Sequence, residues 1–213
     1  MPTNKNFKYE TKRNNLFLRV AHGHFATSNC HSNYYIDVVA QKTRLSEAKA
    51  VAQELCSYFY HTTVVDTILC LDGTEVIGAC LAEQLSKSDF VNLNAHKSIY
   101  VVTPETTNSN QLLFRDNIIP MIKGKNVLIL AVSVASGKTV EAAIDAVNYY
   151  GGTVSCISAI FSTAKECREM PVYSVFNPKD LEGYANYPAH ECPMCKSGQK
   201  LDALINCHGF SKI

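Results

Sequence analysis

The stretch Asn126–Val134 (NVLILAVSV) is the most apolar segment of the chain, and it constrains the fold more than any other feature. A loop of small residues, Ala135–Thr139 (ASGKT), follows it directly and leads into a helical pattern that ends at Gly151 and Gly152. A nearly continuous apolar run is typical of a strand buried on both faces of a parallel sheet. The sequence therefore predicts a buried strand, a tight loop and then a helix over Lys138–Tyr150.

Short apolar runs also alternate with helical patterns elsewhere in the middle of the chain. We predict further strands at Val64–Leu71, Ser98–Val102, Thr153–Phe161 and Val172–Phe176, and further helices at Arg44–Tyr60 and Glu75–Leu85. The polar segment Thr103–Asn117 predicts a long loop. This order predicts an α/β fold with a mostly parallel sheet and helices on both faces. We expect a single domain over residues 1–213, with residues 1–40 as a small N-terminal hood and residues 188–213 as a Cys-rich C-terminal tail.

Composition excludes several classes of function. The chain of 213 residues carries 20 basic and 19 acidic residues, a formal charge of +1, which argues against a broad nucleic-acid or anionic-membrane surface. No apolar run approaches the roughly 18 residues of a membrane span. Residues Met1–Asn15 are polar, and the run Leu16–Ala21 is too short for a secretory signal. We therefore expect a cytoplasmic protein whose nine cysteines are reduced.

The loop after the apolar strand has the properties of an anion site. Its members are Ala135, Ser136, Gly137, Lys138 and Thr139. Small residues at the start of a helix expose backbone N–H groups that bind phosphate. Ser136 and Thr139 add hydroxyl groups, and Lys138 adds a positive charge. The alternative is an ordinary strand-to-helix turn in which Ser136 caps the helix.

The final residues of this loop, Gly-Lys-Thr, also end the nucleotide-binding P-loop motif. That motif requires another glycine five positions before Gly137. The chain has Val132 there, and a β-branched residue does not replace a glycine of positive φ without strain. The sequence therefore disfavours a P-loop nucleoside triphosphatase.

The apolar strand and its loop follow a known order of residues: four apolar residues (Val127–Leu130), two residues (Ala131–Val132), two more (Ser133–Val134) and then the phosphate loop. In this order the chain resembles the type I phosphoribosyltransferases, and most of all the orotate phosphoribosyltransferases. The resemblance implies the type I phosphoribosyltransferase fold, a homodimer, and a ligand such as phosphoribosyl pyrophosphate or a nucleotide monophosphate.

Three other stretches resemble this family in the same order. They are Ser28–Tyr35 (SNCHSNYY), Leu71–Ala82 (LDGTEVIGACLA) and Cys192–Gly198 (CPMCKSG). The first resembles the substrate segment and implies that Ser28, His31, Tyr34 and Tyr35 face the substrate. The second resembles the loop that holds pyrophosphate and implies this role for Leu71, Asp72, Gly73 and Thr74. The third resembles a Cys-Pro-x-Cys tail of one branch of the orotate enzymes.

The chain departs from the family where the chemistry takes place. The family has two acidic residues for the ribose hydroxyls and magnesium, and this chain has Ala131 and Val132. Loop 103–117 lacks the family's lysine, and Arg115 is its only basic residue. The usual Gly-Arg pair of the substrate segment is Asn29–Cys30. We therefore expect a protein that retains the 5′-phosphate loop but has weak or no transferase activity.

Two alternatives remain open at the level of sequence. The first is an active orotate phosphoribosyltransferase that makes orotidine monophosphate and pyrophosphate with Mg²⁺. In that case Asp72 or Glu75 would bind the metal and Arg115 would replace the lysine. The second is a non-enzymatic interaction protein built on this fold.

The tail also contains a set of metal-ligand residue types. Cys192 and Cys195 form a CxxC pair, Cys207–His208 follow, and His190 is a spare ligand. This spacing resembles a Cys₃His site for a structural zinc ion. The alternative is that the cysteines only pack. Four other cysteines lie on apolar segments, and we predict that they are buried and pack as small hydrophobic residues: Cys56, Cys70, Cys80 and Cys156.

Aromatic and imidazole side chains are concentrated near the N-terminus. They are His22, His24, His31, Tyr34 and Tyr35. One interpretation is a wall that stacks on a purine or pyrimidine base. The other is that the histidines lie on the surface and the tyrosines in the core. We expect His61 and His96 on the surface.

Overall fold

A computed structural model describes residues 16–28, 30–87, 91–95, 97–107 and 111–213, together with the backbone of residues 7–10. Asn29 and His96 lie outside the described residues. The chain divides into two compact units. The core unit comprises residues 41–176, and the terminal unit comprises residues 1–40 and 177–213. The predicted hood and tail thus belong to the same unit.

The described residues form fourteen strands and five α-helices. In chain order these are β1 (Phe7–Glu10), β2 (Phe17–Ala26), β3 (Cys30–Asp37), α1 (Val39–Thr43), α2 (Leu45–Phe59), β4 (Thr67–Cys70), α3 (Glu75–Leu85), β5 (Tyr100–Val102), β6 (Glu105–Thr106), β7 (Leu112–Leu113), β8 (Asn126–Val134), α4 (Lys138–Tyr149), β9 (Thr153–Ser162), β10 (Glu166–Cys167), β11 (Met170–Phe176), β12 (Asn186–Pro188), α5 (Pro193–Lys196), β13 (Ala203–Asn206) and β14 (Gly209–Lys212).

The core unit is built on a six-stranded sheet with the order β10-β11-β9-β8-β4-β5. All neighbouring strands in it are parallel except the short pair β10–β11. Because parallel strands need crossover connections, helices α3 and α4 lie between successive strands of the chain. The predicted mostly parallel α/β fold is confirmed.

The two faces of this sheet are covered by different helices. Val127, Ile129 and Ala131 alternate along β8 and form one buried cluster with residues of α4. On the other face α3 lies close to β4, since a methyl group built on Gly78 would touch Cys70 and would lie 3.6 Å from Ile68. Gly78 therefore permits a close approach of helix and sheet, and alanine at this position would push them apart.

The amino ends of the central strands are fixed by polar contacts. Both the backbone and the side-chain amide of Asn126 donate to a carboxylate oxygen of Asp66, over 2.9 and 2.8 Å. Burial alone would raise the pKa of Asp66, but these bonds, with Lys97 and Lys125 nearby, lower it. A charged Asp66 thus aligns β8 with the residues just before β4.

The terminal unit contains a second six-stranded sheet, in which five strands follow the order β12-β3-β2-β13-β14. The sixth strand, β1, pairs with residues 17–20 of β2. The hairpin of β2 and β3 lies in the middle. Strands from residues 177–213 flank the hairpin on both sides: β12 pairs with β3, and β13 pairs with β2. The N-terminal hairpin and the tail therefore fold as one sheet.

Most predicted elements of the core unit agree with the structure. Strand 126–134 and helix 75–85 have the predicted bounds, whereas β4 is shorter than the predicted strand 64–71. The predicted loop 103–117 contains the small hairpin of β6 and β7. In the part of the chain that the structure describes, no helix is both long and apolar enough to cross a membrane.

Candidate functional site

The predicted phosphate loop leaves the carboxyl end of β8 and leads directly into α4. Gly137 has φ +77°, a left-handed conformation that glycine adopts without strain, and the helix begins at the next residue. Ala135, Ser136, Lys138 and Thr139 are exposed. The first turn of a helix has N–H groups without helical acceptors, so this loop offers donors to an anion in solution.

The base of this loop is held by the neighbouring strand. The Thr163 hydroxyl lies 3.2 Å from the carbonyl oxygen of Ala135. The backbone N–H of Thr163 donates to the carbonyl oxygen of Val134 over 2.9 Å. On the helix side, the backbone N–H of Glu141 donates to the Gly137 carbonyl over 2.8 Å. The loop is therefore held by hydrogen bonds at both ends.

The predicted pyrophosphate loop follows β4. Asp72 and Gly73 both have positive φ, +58° and +80°. Thr74 is fully buried, and its hydroxyl lies 2.9 Å from the Leu71 carbonyl and 3.0 Å from the Leu130 carbonyl. The hydroxyl thus fixes this loop against the end of β8 and has a structural role.

A buried lysine that the sequence analysis missed also holds this loop. The ammonium group of Lys42 donates to the Asp72 carbonyl over 2.7 Å, and only 7% of the residue is exposed. A methyl group built on Gly73 would lie 3.4 Å from the same nitrogen. Lys42 therefore places a positive charge beside the loop, and its position in a short polar helix gave no sequence signal.

The two loops lie at one edge of the sheet. Strands β4 and β8 are adjacent and parallel, with Cys70 opposite Leu130. The Leu71 N–H continues this ladder by donating to the Leu130 carbonyl over 2.8 Å. Ligand sites in open α/β sheets form at the carboxyl ends of adjacent strands.

The residues between these loops do not fit magnesium. Ala131 and Val132, at the positions of the family's acidic pair, are 1% and 6% exposed. Neither has an oxygen ligand, which Mg²⁺ requires. Two carboxylate oxygens lie close to the loops: Glu75 Oε2 is 3.9 Å from a methyl group built on Gly73, and Glu141 Oε1 is 3.8 Å from one built on Gly137. These charges oppose an anion at either loop.

Arg115 is already paired. Its Nε and Nη2 donate to the two carboxylate oxygens of Glu105 over 2.9 and 2.6 Å. The bidentate bond lowers the pKa of Glu105, so the pair is ionised at neutral pH. Arg115 could therefore take the place of the loop lysine only if this exposed ion pair opened.

The predicted substrate segment is only partly accessible. Ser28 is exposed, whereas Tyr34 and Tyr35 are 1% and 9% exposed. The Tyr34 hydroxyl donates to the Glu182 carbonyl over 2.6 Å. Burial, and to a lesser extent the charge of Asp37, raises the pKa of Tyr35 to about 12. Two members of the predicted base-stacking wall thus lie in the core of the terminal unit, in agreement with the alternative interpretation.

His31 belongs to a different group, a cluster of two histidines and two cysteines. Its members are His24, His31, Cys192 and Cys195, whose ligand atoms all lie within 4.8 Å of one another. His24 and Cys192 are fully buried, and Cys195 is exposed. Burial, and to a lesser extent the neighbouring His24, lowers the pKa of His31.

This cluster differs from the predicted ligand set. The structure brings Cys192 and Cys195 together as expected, but Cys207 and His208 lie at the turn between β13 and β14 and, among the described residues, are not part of the cluster. His190 is exposed and lies 3.1 Å from Glu191. The cysteines predicted to be buried, Cys56, Cys70, Cys80 and Cys156, are buried.

No family model and no curated protein matches the sequence. The structure is similar to UMP synthase from Leishmania donovani, with 19% identity and a TM-score of 0.56 over 76% of this chain and 34% of that chain. The chain thus spans about a third of that protein. It is also similar to orotate phosphoribosyltransferase from Mycobacterium tuberculosis H37Rv in complex with inorganic phosphate, with 16% identity and a TM-score of 0.52 over 76% of this chain and 90% of that chain. For adenine phosphoribosyltransferase from Leishmania tarentolae the identity is 15% and the TM-score 0.50, over 70% of this chain and 79% of that chain.

Proposed function

We propose that this chain, which has the fold of the type I phosphoribosyltransferases, binds a phosphorylated ribose ligand but transfers the ribosyl group weakly or not at all. The ligand is phosphoribosyl pyrophosphate without metal, or a nucleotide monophosphate. One contrast carries the proposal: the phosphate loop is exposed and leads directly into α4, whereas the adjacent Ala131 and Val132 are buried and apolar.

The loop supports phosphate binding through its geometry and its charge. Gly137 positions the chain so that α4 starts with its N-terminus at the carboxyl edge of the sheet, and Lys138 is exposed beside it. The N-terminal end of a helix carries a partial positive charge that favours anions. The phosphate complex of the M. tuberculosis enzyme supports a phosphate ligand for this fold.

Transferase activity requires groups that this site lacks at the expected positions. Loss of a charge-assisted contact to a ribose hydroxyl costs about 1.5–3 kcal/mol. The departing pyrophosphate also needs cations, which stabilise charge in the transition state. Arg115, the basic residue of the loop, is bound to Glu105. An active enzyme would therefore need cations from elsewhere, and Lys42 is the observation that favours this second candidate.

Two measurements test the proposal. A thermal-shift series with inorganic phosphate, nucleotide monophosphates and phosphoribosyl pyrophosphate should show stabilisation, since a ligand of the folded state raises Tm. Lys138→Ala should reduce the shift. Lys123→Ala is the matched control, because Lys123 is also exposed but precedes β8 at the opposite end of the strand. No shift with any of these compounds would overturn the phosphate site and leave a protein that uses only the fold.

A coupled assay with orotate, phosphoribosyl pyrophosphate and Mg²⁺ tests catalysis separately. We expect no turnover, or turnover far below the median enzyme rate of roughly 10 s⁻¹. Turnover at an ordinary rate would contradict the proposal and favour the active enzyme. Loss of that turnover in Lys42→Met would then identify the cation.

A further inference from the structure

Two histidines and two cysteines of the terminal unit lie close together, and we propose that they hold a structural zinc ion. The donor atoms are His24 Nε2, His31 Nδ1, Cys192 Sγ and Cys195 Sγ. Two imidazoles and two thiolates are a donor set that zinc takes in closed, four-coordinate structural sites. The four residues belong to the terminal unit and the phosphate loop to the core unit, and the inference does not depend on the proposed function.

Four distances between the donor atoms match the edges of a tetrahedron around zinc. With Zn–N of about 2.0–2.1 Å and Zn–S of about 2.3 Å, the tetrahedral edges are about 3.3 Å for N–N and about 3.6 Å for N–S. The nitrogens of His24 and His31 are 3.1 Å apart. The nitrogen–sulfur distances are 3.5 and 3.6 Å from His24 and 3.2 Å from His31. All four agree within a few tenths of an ångström.

Hydrogen bonding alone does not account for this arrangement. His24 Nε2 has three ligand atoms within 3.6 Å, but a neutral imidazole nitrogen has either one proton or one lone pair. The other nitrogen, Nδ1, lies 3.0 Å from the carbonyl oxygen of Gln199, which can only accept. The proton is therefore on Nδ1, and the Nε2 lone pair points into the cluster. Metal-bound histidines are oriented by such a contact.

The fold brings the two histidines to one face of the terminal sheet. Between the pairs His22–Tyr34 and Phe25–Ser32, strand β2 advances by three residues and β3 by two, which is a β-bulge. Beyond the bulge Ala26 is opposite His31. Because side chains alternate along a strand, His24 shares the face of Ala26 and therefore of His31.

The cysteines reach this face from the tail. Strand β12 ends opposite the start of β3, and β13 pairs with β2 on the far side of the hairpin. The segment between them, which includes Cys192 and Cys195, must cross from one side of the hairpin to the other. The short helix α5 begins immediately after Cys192, and its turn places both sulfurs beside His24.

Zinc at this position would join segments that are 168 residues apart in the chain, His24 and Cys192. Metal binding that is coupled to folding contributes directly to stability. Since His31 lies in the segment that resembles the family's substrate segment, the ion would give that segment a fixed conformation. The role of His31 is then structural, and base stacking would fall to other residues.

Metal analysis of the full chain, purified without chelators, tests the site. We expect about one equivalent of zinc per chain. Cys195→Ser should weaken zinc binding in a chelator competition by more than the roughly 10–100-fold that loss of an outer-shell partner costs. Cys207→Ser is the matched control and should keep the metal. Cobalt-substituted protein should show the visible absorption of a tetrahedral site with sulfur-to-metal charge transfer, reduced in Cys195→Ser.

Each result decides for or against the four ligands. Cys195→His retains a ligand atom and should retain zinc, which separates ligand loss from misfolding. Less than about half an equivalent after reconstitution with Zn²⁺ overturns the site. Equal loss of metal in Cys207→Ser also overturns the site and would favour the ligand set predicted from the sequence, in which Cys207 binds the metal. A Cys192–Cys195 disulfide in protein kept under reducing conditions overturns it as well.

Discussion

Replacing Gly137 with alanine separates the strain of the phosphate loop from its function. A methyl group at this residue would lie 3.6 Å from Cys167 Sγ and 3.8 Å from Glu141 Oε1, which are ordinary contacts. The unfavourable part is therefore the backbone, since φ is +77°. A left-handed residue other than glycine costs about 1–2 kcal/mol. Lower entropy of the unfolded chain offsets part of this, so we expect Gly137→Ala to destabilise the chain by about 1 kcal/mol.

Gly151 offers a control with the same strain. Its φ is +79°, and it lies just beyond the other end of α4, where a methyl group would be 3.6 Å from Lys123 Cγ. Gly151→Ala should therefore lower the free energy of unfolding by a similar amount, a Tm decrease of roughly 2–4 °C for a chain of this size. It should leave the phosphate loop unchanged.

Phosphate affinity then distinguishes the two variants. If Gly137→Ala relaxes toward negative φ, the N–H groups that follow it turn away from the anion. Loss of one charge-assisted hydrogen bond, at least about 1.5 kcal/mol, weakens phosphate binding roughly tenfold. Calorimetric titration with inorganic phosphate measures this for both variants and the wild type. Equal phosphate affinity in Gly137→Ala and Gly151→Ala would refute the assignment of this loop as the anion site.

Three further substitutions test the charges around the sheet. Glu141→Gln removes a negative charge beside the phosphate loop and should tighten phosphate binding by about 1 kcal/mol, roughly fivefold, in the same titration. An unchanged Kd would count against phosphate binding at this loop. Lys42→Met removes the ammonium group that binds the Asp72 carbonyl, and it should weaken binding of phosphoribosyl pyrophosphate more than binding of inorganic phosphate. Asp66→Asn should cost about 1 kcal/mol near neutral pH by weakening the bonds from Asn126. The pKa of Asp66 is lowered in the folded state, so the difference in free energy of unfolding between wild type and variant should be fully present above the ordinary pKa of about 3.9. It should disappear as the pH falls through the folded-state pKa, as measured by urea unfolding. A constant difference down to low pH would show that the charge is not responsible.

Local patterns were sufficient to predict much of the core unit from sequence. The run Asn126–Val134 is apolar at almost every position because both faces of β8 are covered, and this gave the bounds of the strand. The glycines after α4 gave its end. The hairpin of β6 and β7 was missed because each strand has only two residues, too few for any periodicity.

The site was predictable only where its residues follow one another in the chain. The loop 135–139 is continuous, whereas Lys42 reaches the loop at Asp72 from a separate element. The Cys-His cluster depends on a bulge in β2 and on β12 and β13, which pair with opposite sides of the β2–β3 hairpin. Neither has a local sequence signal, so the sequence indicates the cysteine pair but offers for the histidines only a base-binding wall or a place on the surface.

The central claim is that a phosphate loop persists beside a site that cannot use magnesium. Titration of the chain with phosphoribosyl pyrophosphate, with and without Mg²⁺, tests it most directly. Because Ala131 and Val132 provide no oxygen ligands, we expect measurable binding with a Kd that Mg²⁺ does not change. Tightening by more than roughly tenfold on addition of Mg²⁺, about 1.4 kcal/mol, would contradict the claim.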